Sequence, residues 1–403
     1  MHNRLALLFI LITVAIDSIG IGLIFPVMPD LLTDVTGADI STASLWGGVL
    51  ATSFAAMQFL FGPVVGNLSD RYGRRPVMLI ALAIMSVDYL IMAVAGSIWV
   101  LLVGRIVAGI AAATYATASA YIADISPQKE RAKNFGYVGA AFGIGFVLGP
   151  LIGGITAELG TRAPFWFAAG IAAANLGFGF FVLPESLADK NRRSFSLKRA
   201  NPFGSFRAIG NLPGLNRFLL LMFVYTVAIQ SYTSVWAFFG AERFGWNAWW
   251  NGVSLALYGA SLALFQAFGV APAIRLWGEK RTAAYSMSLE AAAFVYFGFI
   301  RSGFWALACT PVAAAAGLAG PAMNGLMANA TPDNQQGELQ GVIASVSALA
   351  MGLSPMIMTS VFYFFTRPGA PVYLPGAPFI LAAFLMAGCV FILVAGPRAK
   401  APA

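Results

Sequence analysis

Long apolar stretches of about twenty residues, each nearly free of charge, recur along the whole chain of 403 residues. A helix needs about twenty apolar residues to cross the hydrocarbon core of a bilayer. Such stretches centre near residues 16, 55, 86, 110, 145, 174, 228, 263, 291, 315, 351 and 385. The sequence therefore predicts an all-α polytopic membrane protein with twelve transmembrane helices.

The composition excludes several other classes of protein. Charged residues make up 10% of the chain, whereas a soluble domain carries roughly 25%. The net charge of +8 resides in short loops rather than on a broad surface, so it does not indicate nucleic-acid binding. The only histidine is His2, which excludes a histidine-ligated metal or a histidine base within the spans. The apolar run after Arg4 has no small-residue cleavage site, and we expect it to be a retained first helix.

The basic residues of the loops predict the orientation of the chain. An even number of spans places both termini on one side, and assigning that side to the cytoplasm puts 19 of the 24 Lys and Arg residues inside. Cytoplasmic loops carry such an excess. Tryptophans 246, 249 and 250 fall at the opposite interface, where an aromatic belt is expected. We expect a multi-pass protein of the inner (cytoplasmic) membrane, in contact with the lipid bilayer, monomeric, with both termini cytoplasmic.

The two halves of the chain resemble each other at a constant spacing. Glycine or proline residues in the same topological position recur 205 residues apart, at 73 and 278, 127 and 332, 136 and 341, and 150 and 355. Six spans separate the copies, so both halves have the same orientation. We predict an N-terminal six-helix bundle over 1–187, a charged cytoplasmic linker over 188–213 and a C-terminal six-helix bundle over 214–403.

The loop between the second and third spans, residues 66–76, reads GNLSDRYGRRP. Its Gly, Asp, Arg, Gly, Arg, Arg and Pro positions match the helix 2–3 loop of the major facilitator superfamily of transporters, which the chain resembles. The resemblance implies two bundles around a central cavity that opens alternately to each side. It also implies a cytoplasmic gate, in which the loop aspartate meets the start of helix 11, near Pro332, and an arginine pairs with an acid at the end of helix 4. The gate residues are Asp70, Arg71, Gly73, Arg74 and Asp124; a loop that only enforces topology is the alternative.

Helix 5 carries the sequence GIGFVLGPLIGG from Gly143 to Gly154. It resembles the antiporter motif of the superfamily, which exporters usually have and importers usually lack. The glycines supply a smooth face for close approach of another helix, and proline lacks the N–H of a helical hydrogen bond. Ordinary close packing is the alternative. The motif residues are Gly145, Gly149, Pro150, Gly153 and Gly154.

Four ionisable residues lie within the predicted spans, namely Asp17, Asp88, Arg105 and Glu290. Ionisable groups in a membrane are costly and by default functional, so we expect them to serve proton coupling or substrate binding. The partner of Arg105 is open between Asp17, Asp88 and neither, and a structural ion pair is the alternative for Asp88 and Arg105. Neutral polar candidates for the cavity, each with ordinary packing as the alternative, are Gln58, Gln230, Tyr258 and Gln266.

A narrower resemblance, to the tetracycline/proton antiporters, rests on segments that follow one another in the same order along most of the chain. Its acids in helices 1 and 3 and its arginine in helix 4 match Asp17, Asp88 and Arg105. Some members carry a histidine where this chain has Leu262, and an aspartate where it has Glu290, so coupling here must rely on carboxylates. The segments are DSIGIGLIFPVMPDLL (17–32), SVDYL (86–90), GRIVAGI (104–110), ERFGWN (242–247), LFQAF (264–268), WGEK (277–280) and QQGELQG (335–341).

This resemblance implies a proton-coupled antiporter that exports a tetracycline as a cationic chelate of a divalent metal and thereby confers drug resistance. A broader multidrug/proton antiporter of the same fold is the alternative, favoured by the missing histidine. A proton-coupled nutrient importer is a rival that the glycine-rich helix 5 argues against. The expected partners are a small-molecule drug and protons, with no nucleic acid, resident cofactor, metal site or catalytic residue.

Overall fold

The computed structural model describes residues 2–112, 114–197, 200–204 and 215–395, apart from the side chains of residues 2–4, 114, 115, 132 and 333. The end of the predicted linker (205–213) and the basic residues Arg398 and Lys400 lie outside the described residues, as do the side chains of His2 and Arg4. The described ranges form fourteen α-helices: α1 His2–Thr36, α2 Ile40–Tyr72, α3 Arg74–Val94, α4 Ile98–Ala111, α5 Thr114–Ile125, α6 Arg131–Ala157, α7 Ala163–Val182, α8 Asn216–Ile229, α9 Ser231–Phe244, α10 Ala248–Phe299, α11 Gly303–Ala315, α12 Ala319–Asn329, α13 Gln336–Thr366 and α14 Ala377–Ala395.

These helices provide twelve spans. Eleven helical segments in the described ranges are long and apolar enough to cross a membrane. One of them, α10, has 52 residues, about 78 Å of helix, which is far more than the hydrocarbon core of about 30 Å. Gly278 interrupts α10 with a φ of 75°, so the segments before and after it are separate spans. The predicted all-α polytopic fold is confirmed, and each of the twelve predicted centres falls within one of these spans.

Three spans consist of two shorter helices. α4 and α5 together cover one span, as do α8 and α9, and α11 and α12. α8 and α9 meet at Gln230, and a short 3-10 turn at Ala316–Leu318 joins α11 to α12. Such interruptions leave backbone groups without their helical partners, which is tolerated at membrane depth only where protein or water satisfies them.

The described residues cluster into two compact units. The first comprises Met1–Ala38, Ser53–Pro202 and Asn247–Ala256, and the second comprises Asp39–Thr52, Phe203–Trp246 and Leu257–Ala403. Their five boundaries fall just before and within α2, after residue 202, and just before and within α10. The six-helix halves predicted by chain position, 1–187 and 214–403, stay a prediction.

The spacing of 205 residues extends to the helix boundaries. α3 ends at Val94 and α10 at Phe299, while α4 begins at Ile98 and α11 at Gly303. α6 likewise begins at residue 131 and α13 at residue 336. Gly73 and Gly278, which precede the corresponding helical segments, both have positive φ values, of 106° and 75°. The repeat seen in a few glycines and prolines is thus also a repeat of helix lengths and turns.

Residues that flank α7 hold both ends of α3. At the start of α3, Glu185 accepts hydrogen bonds from the backbone amides of Arg74 (2.8 Å) and Arg75 (3.2 Å). At its end, the Arg162 guanidinium donates to the carbonyl of Ala95 at 2.7 Å and pairs with Asp34 at 2.8 Å. An anion at the start and a cation at the end of a helix both favour its dipole and satisfy backbone groups left without partners.

Candidate functional site

A buried ion pair joins α3 to α4. Asp88 and Arg105 are 2% and 8% exposed, and the Arg105 guanidinium pairs with the Asp88 carboxylate. The same guanidinium lies over the ring of Phe54, 5.4 Å from its centroid, which adds a cation–π interaction. The open question of the partner of Arg105 is thereby answered in favour of Asp88. A groove of about 190 Å³ beside the pair is lined by Asp88, Gly104 and apolar residues of α3 and α4.

Asp17 lies on α1, next to the same part of α3. It is half-buried and close enough to Tyr89 for an electrostatic interaction. One turn further on α1, Gly20 packs directly against the Tyr89 hydroxyl. Since Tyr89 follows Asp88 in sequence, α1 and α3 bring two of the four predicted ionisable residues into one region of the first unit.

Glu290 is fully buried in the second unit. Its exposed fraction is 0%, and one carboxylate oxygen, Oε1, accepts a hydrogen bond of 2.8 Å from the Tyr232 hydroxyl. The other oxygen, Oε2, has no hydrogen-bond partner within the described part of the chain. An ionised carboxylate in such surroundings is costly, whereas a protonated one is tolerated.

Aromatic rings enclose this carboxyl group. The Tyr232 ring lies 4.8 Å from that of Tyr258 and 5.0 Å from that of Phe294, centroid to centroid. Tyr225 and Tyr258 are both near enough to Glu290 to interact with it electrostatically. The site is therefore apolar apart from phenolic hydroxyls, and any charge that enters it must bring its own compensation.

The predicted helix 2–3 loop, residues 66–76, carries a compact ionic network in the first unit. The structure differs from the prediction in that α2 extends to Tyr72 and α3 begins at Arg74, so only Gly73 lies between the two helices. Arg74 Nη1 lies 2.6 Å from Asp70 Oδ1, and Arg74 Nε lies 3.2 Å from Asp124 Oδ2 at the end of α5. Arg74 also donates to the Ser69 hydroxyl at 2.6 Å. Arg71 is exposed and stacks over Tyr72, 5.0 Å from its ring centroid. Arg74 is thus the centre of the network, while Arg71 stands outside it.

The segment after α7 covers this loop. Gly73, at a φ of 106°, lies against the Glu185 carboxylate, so this position requires glycine both for its backbone conformation and for its lack of a side chain. Further along, Arg193 donates its backbone amide to the Asp70 carbonyl at 3.0 Å, and Asn67 donates to the Ser196 carbonyl at 2.8 Å. The described start of the linker is therefore part of the loop structure.

The glycines of the antiporter-like motif bring α6 against α1. A Cβ at Gly149 would lie 2.6 Å from the Ile19 carbonyl oxygen and 2.8 Å from the Gly22 Cα. Gly145 and Gly153 make equally close approaches to the α1 backbone one turn to either side, at Ala15 and Leu23. On another face of α6, Gly154 lies against Trp249 and Pro150 against Gly252. α6 continues as one helix through Pro150.

We expect Gly149→Ala to destabilise the protein, because overpacking against a backbone typically costs about 1–3 kcal/mol. Gly143→Ala on the same helix is the matched control, since no atom of another described helix lies within 4 Å of its added Cβ and alanine improves helix propensity by about 1 kcal/mol. The measurement is the thermal unfolding midpoint of each purified variant in detergent. Equal midpoints for the two variants would contradict the close approach.

The polar candidates predicted for a cavity occupy different surroundings. Gln58 is exposed and donates to the Ala112 carbonyl at 2.9 Å, where α4 ends. Gln230 is half-buried at the junction of α8 and α9, and Gln266 is exposed on α10. Of the four, Tyr258 alone belongs to the aromatic surroundings of Glu290.

Sequence reasoning missed four residues that make polar side-chain contacts in the structure, namely Glu185, Tyr232, Glu279 and Asn329. Glu185 follows an apolar span and lies near basic helix-starting residues only in space, so spacing gave no signal for it. Tyr232 lies 58 residues from Glu290 in the chain, and no pattern links them. The contact between Glu279 and Asn329 could have been predicted from the repeat, because these positions lie 205 residues after Arg74 and Asp124. The residue types at the two pairs of positions differ, however.

The chain matches known proteins over most of its length. The family model of the Major Facilitator Superfamily matches residues 10–355. The class C tetracycline resistance protein of Escherichia coli is 40% identical over 90% of this chain and 91% of its own length. Multidrug resistance protein 2 of Bacillus subtilis (strain 168) is 28% identical over 88% of each chain. The crystal structure of a bacterial homologue of the human lysosomal transporter Spinster, in an inward-facing and occupied conformation, superposes with a TM-score of 0.78 at 15% identity, covering 97% of this chain and 96% of that one. The chain belongs to the Major Facilitator Superfamily, and it is a multi-pass membrane transporter of small molecules rather than an enzyme.

Proposed function

We propose that this transporter exports a tetracycline from the cytoplasm in exchange for protons, by alternating access, and so confers resistance to the drug. The observation that carries the proposal is the buried Glu290 carboxyl group, whose Oε2 atom lacks a hydrogen-bond partner among the described residues. A carboxyl group in an apolar site is stable when protonated and costly when ionised, which suits a group that alternates between proton and cationic drug. Similarity to tetracycline resistance proteins supports the substrate.

In this proposal the drug travels as a cationic chelate of a divalent metal, and the metal is cargo rather than a resident cofactor. Asp17 and the Asp88–Arg105 pair act with Glu290 in proton coupling and substrate binding. Protonation of Glu290 or Asp17 from outside releases the complex, and deprotonation to the cytoplasm resets the site. Gln58, Gln230, Tyr258 and Gln266 are the neutral contacts of the cavity.

The proposed orientation follows the distribution of basic residues. In this proposal the protein lies in the inner membrane as a monomer. Both termini are in the cytoplasm, because the Lys and Arg excess of the loops is then cytoplasmic. The network of the helix 2–3 loop forms the cytoplasmic gate, in which Arg74 holds Asp70 and Asp124 together. The α6 glycines, packed on α1, provide the close contact of an antiporter-type helix 5.

Exchange in proteoliposomes tests the function. Purified protein is reconstituted with a pH-sensitive dye inside, and a tetracycline with Mg²⁺ is added under an imposed proton gradient. We expect drug movement coupled to opposite proton movement, and its loss when an uncoupler collapses the gradient. Drug movement without proton movement would overturn the coupling.

In the same vesicles Asp70→Asn should slow exchange, because it removes the charge of the proposed gate. An unchanged rate at equal protein content would contradict the proposed gate.

A broader multidrug exporter is the second candidate. Leu262 occupies the position at which the resemblance to some tetracycline antiporters implies a histidine. It packs against Gly317 and provides no polar group. Similarity to a multidrug resistance protein at 28% identity points the same way. Resistance of a sensitive host to tetracyclines, cationic dyes and phenicols separates the two, since resistance confined to tetracyclines excludes the broader range.

A further inference from the structure

A second polar pair lies at the start of the helical segment that follows Gly278. The Asn329 side-chain amide, at the last residue of α12, donates to both carboxylate oxygens of Glu279, at 2.9 Å each. One turn earlier on α12, a Cβ at Gly325 would lie 2.6 Å from Glu279 Oε1. The carboxylate is therefore held against the end of α12, and Gly325 leaves the space for it.

This pair occupies the position that the Arg74–Asp124 ion pair occupies in the first half. Glu279 lies 205 residues after Arg74, and Asn329 lies 205 residues after Asp124. In each pair, one residue directly follows a glycine with positive φ. The other lies at the end of the second helix further along the chain, which is α5 in the first half and α12 in the second. The neighbouring helix boundaries keep the same spacing.

The chemistry of the two pairs is reversed. In the first half the helix-starting residue is the cationic donor and its partner is the anionic acceptor. In the second half the helix-starting residue is the anionic acceptor and its partner is a neutral donor. A carboxylate at the start of a helix is itself favoured by the helix dipole, so Glu279 does not need a cationic partner.

We propose that Glu279 and Asn329 form a positioning pair that ties the segment after Gly278 to the end of α12 and thereby sets the rate of export. Neither residue belongs to the buried sites, so we expect the pair to affect the rate of export without changing drug binding. The inference rests on the proposed export function for its transport readout, whereas its effect on stability does not depend on the substrate.

An exchange of donor and acceptor tests the pair without changing its size. Asn329→Asp places two carboxylates together with no hydrogen to share. Glu279→Gln retains an acceptor for Asn329 and serves as the conservative control. The double variant Glu279→Gln/Asn329→Asp restores one donor facing one carboxylate, in the reverse direction. Each variant is measured for its thermal midpoint in detergent, its maximal drug export rate and its half-saturating drug concentration.

We expect Asn329→Asp to lower the maximal rate by about five-fold, the factor that corresponds to about 1 kcal/mol for a pair at a surface. Its half-saturating concentration should not change. The double variant should recover both the rate and the thermal midpoint, and Glu279→Gln should remain near the starting protein. A double variant as impaired as Asn329→Asp overturns the pairing, and a change confined to the thermal midpoint overturns the role in export. If the unaltered protein moves no tetracycline, the proposed function fails, while recovery of the midpoint still establishes the pair.

Discussion

Glu290→Gln is expected to reduce coupled drug/proton exchange to the rate of vesicles without protein. Glutamine has the same shape and still accepts the hydrogen bond from Tyr232, but its amide cannot take up and release a proton. Because Glu290 is buried among aromatic rings, the substitution replaces a group that is costly when ionised and keeps the acceptor for Tyr232. The thermal midpoint of the variant should therefore be equal to or above that of the starting protein. Normal coupled export by Glu290→Gln would show that another carboxyl group carries the proton.

The Tyr232 hydroxyl gives a graded form of the same test. A hydrogen bond to a charged group contributes about 1.5–3 kcal/mol, which corresponds to a factor on the order of ten to a hundred in rate. Tyr232→Phe should slow exchange by at least the lower of these factors while keeping the aromatic packing. Tyr121→Phe is the matched control, because it removes another buried hydroxyl, one that donates to the Pro184 carbonyl in the first unit. Equal rates for the two variants would exclude a specific role for the bond to Glu290.

Arg105→Met should abolish both folding and export, since removal of one partner of a buried ion pair typically costs about 3–5 kcal/mol. The remaining Asp88 carboxylate is 2% exposed and lies in a membrane span. The measurement is the amount of monodisperse protein recovered from the membrane, followed by the exchange assay. Recovery of normal amounts of Arg105→Met would mean that Asp88 is satisfied without its partner.

The double variant Arg105→Met/Asp88→Leu separates a structural pair from a functional one. Replacement of both partners by apolar residues is often neutral or stabilising, so the protein should again be recovered in normal amount. We expect this double variant to remain inactive, because the charges themselves serve the proposed exchange. Full exchange by the double variant would assign Asp88 and Arg105 to structure alone.

The fold was predictable because membrane-spanning helices are determined by local composition. A run of about twenty apolar residues identifies a span wherever it packs, and all twelve predicted centres lie within spans. The sequence did not predict that Gly278 is the only break in a continuous 52-residue segment of the described chain. Nor did it predict that Gln230 divides another span. Breaks of this kind depend on neighbouring groups that satisfy the backbone, which local composition does not record.

The candidate site was predictable as a set of residues but not as a set of contacts. The free-energy cost of placing an ionisable group within the membrane was sufficient to single out Asp88, Arg105 and Glu290. The choice of Asp88 as the partner of Arg105 follows from the packing of α3 against α4, which juxtaposes residues separated by seventeen positions. The bond from Tyr232 to Glu290 depends on tertiary packing between helices far apart in sequence.

The asparagine at position 329 also bears on how the two halves of such a protein can diverge. Asparagine has the length of aspartate but carries both a donor and an acceptor, so it can face either an arginine or a glutamate. Starting from an arginine–aspartate contact, a change of the acid to an amide keeps an acceptor oxygen for the arginine. The opposite residue can then reverse its charge without passing through a stage with two like charges. A contact between two positions can in this way persist although both of its original residues have been replaced. A comparison of the two halves by residue identity would count such positions as unrelated.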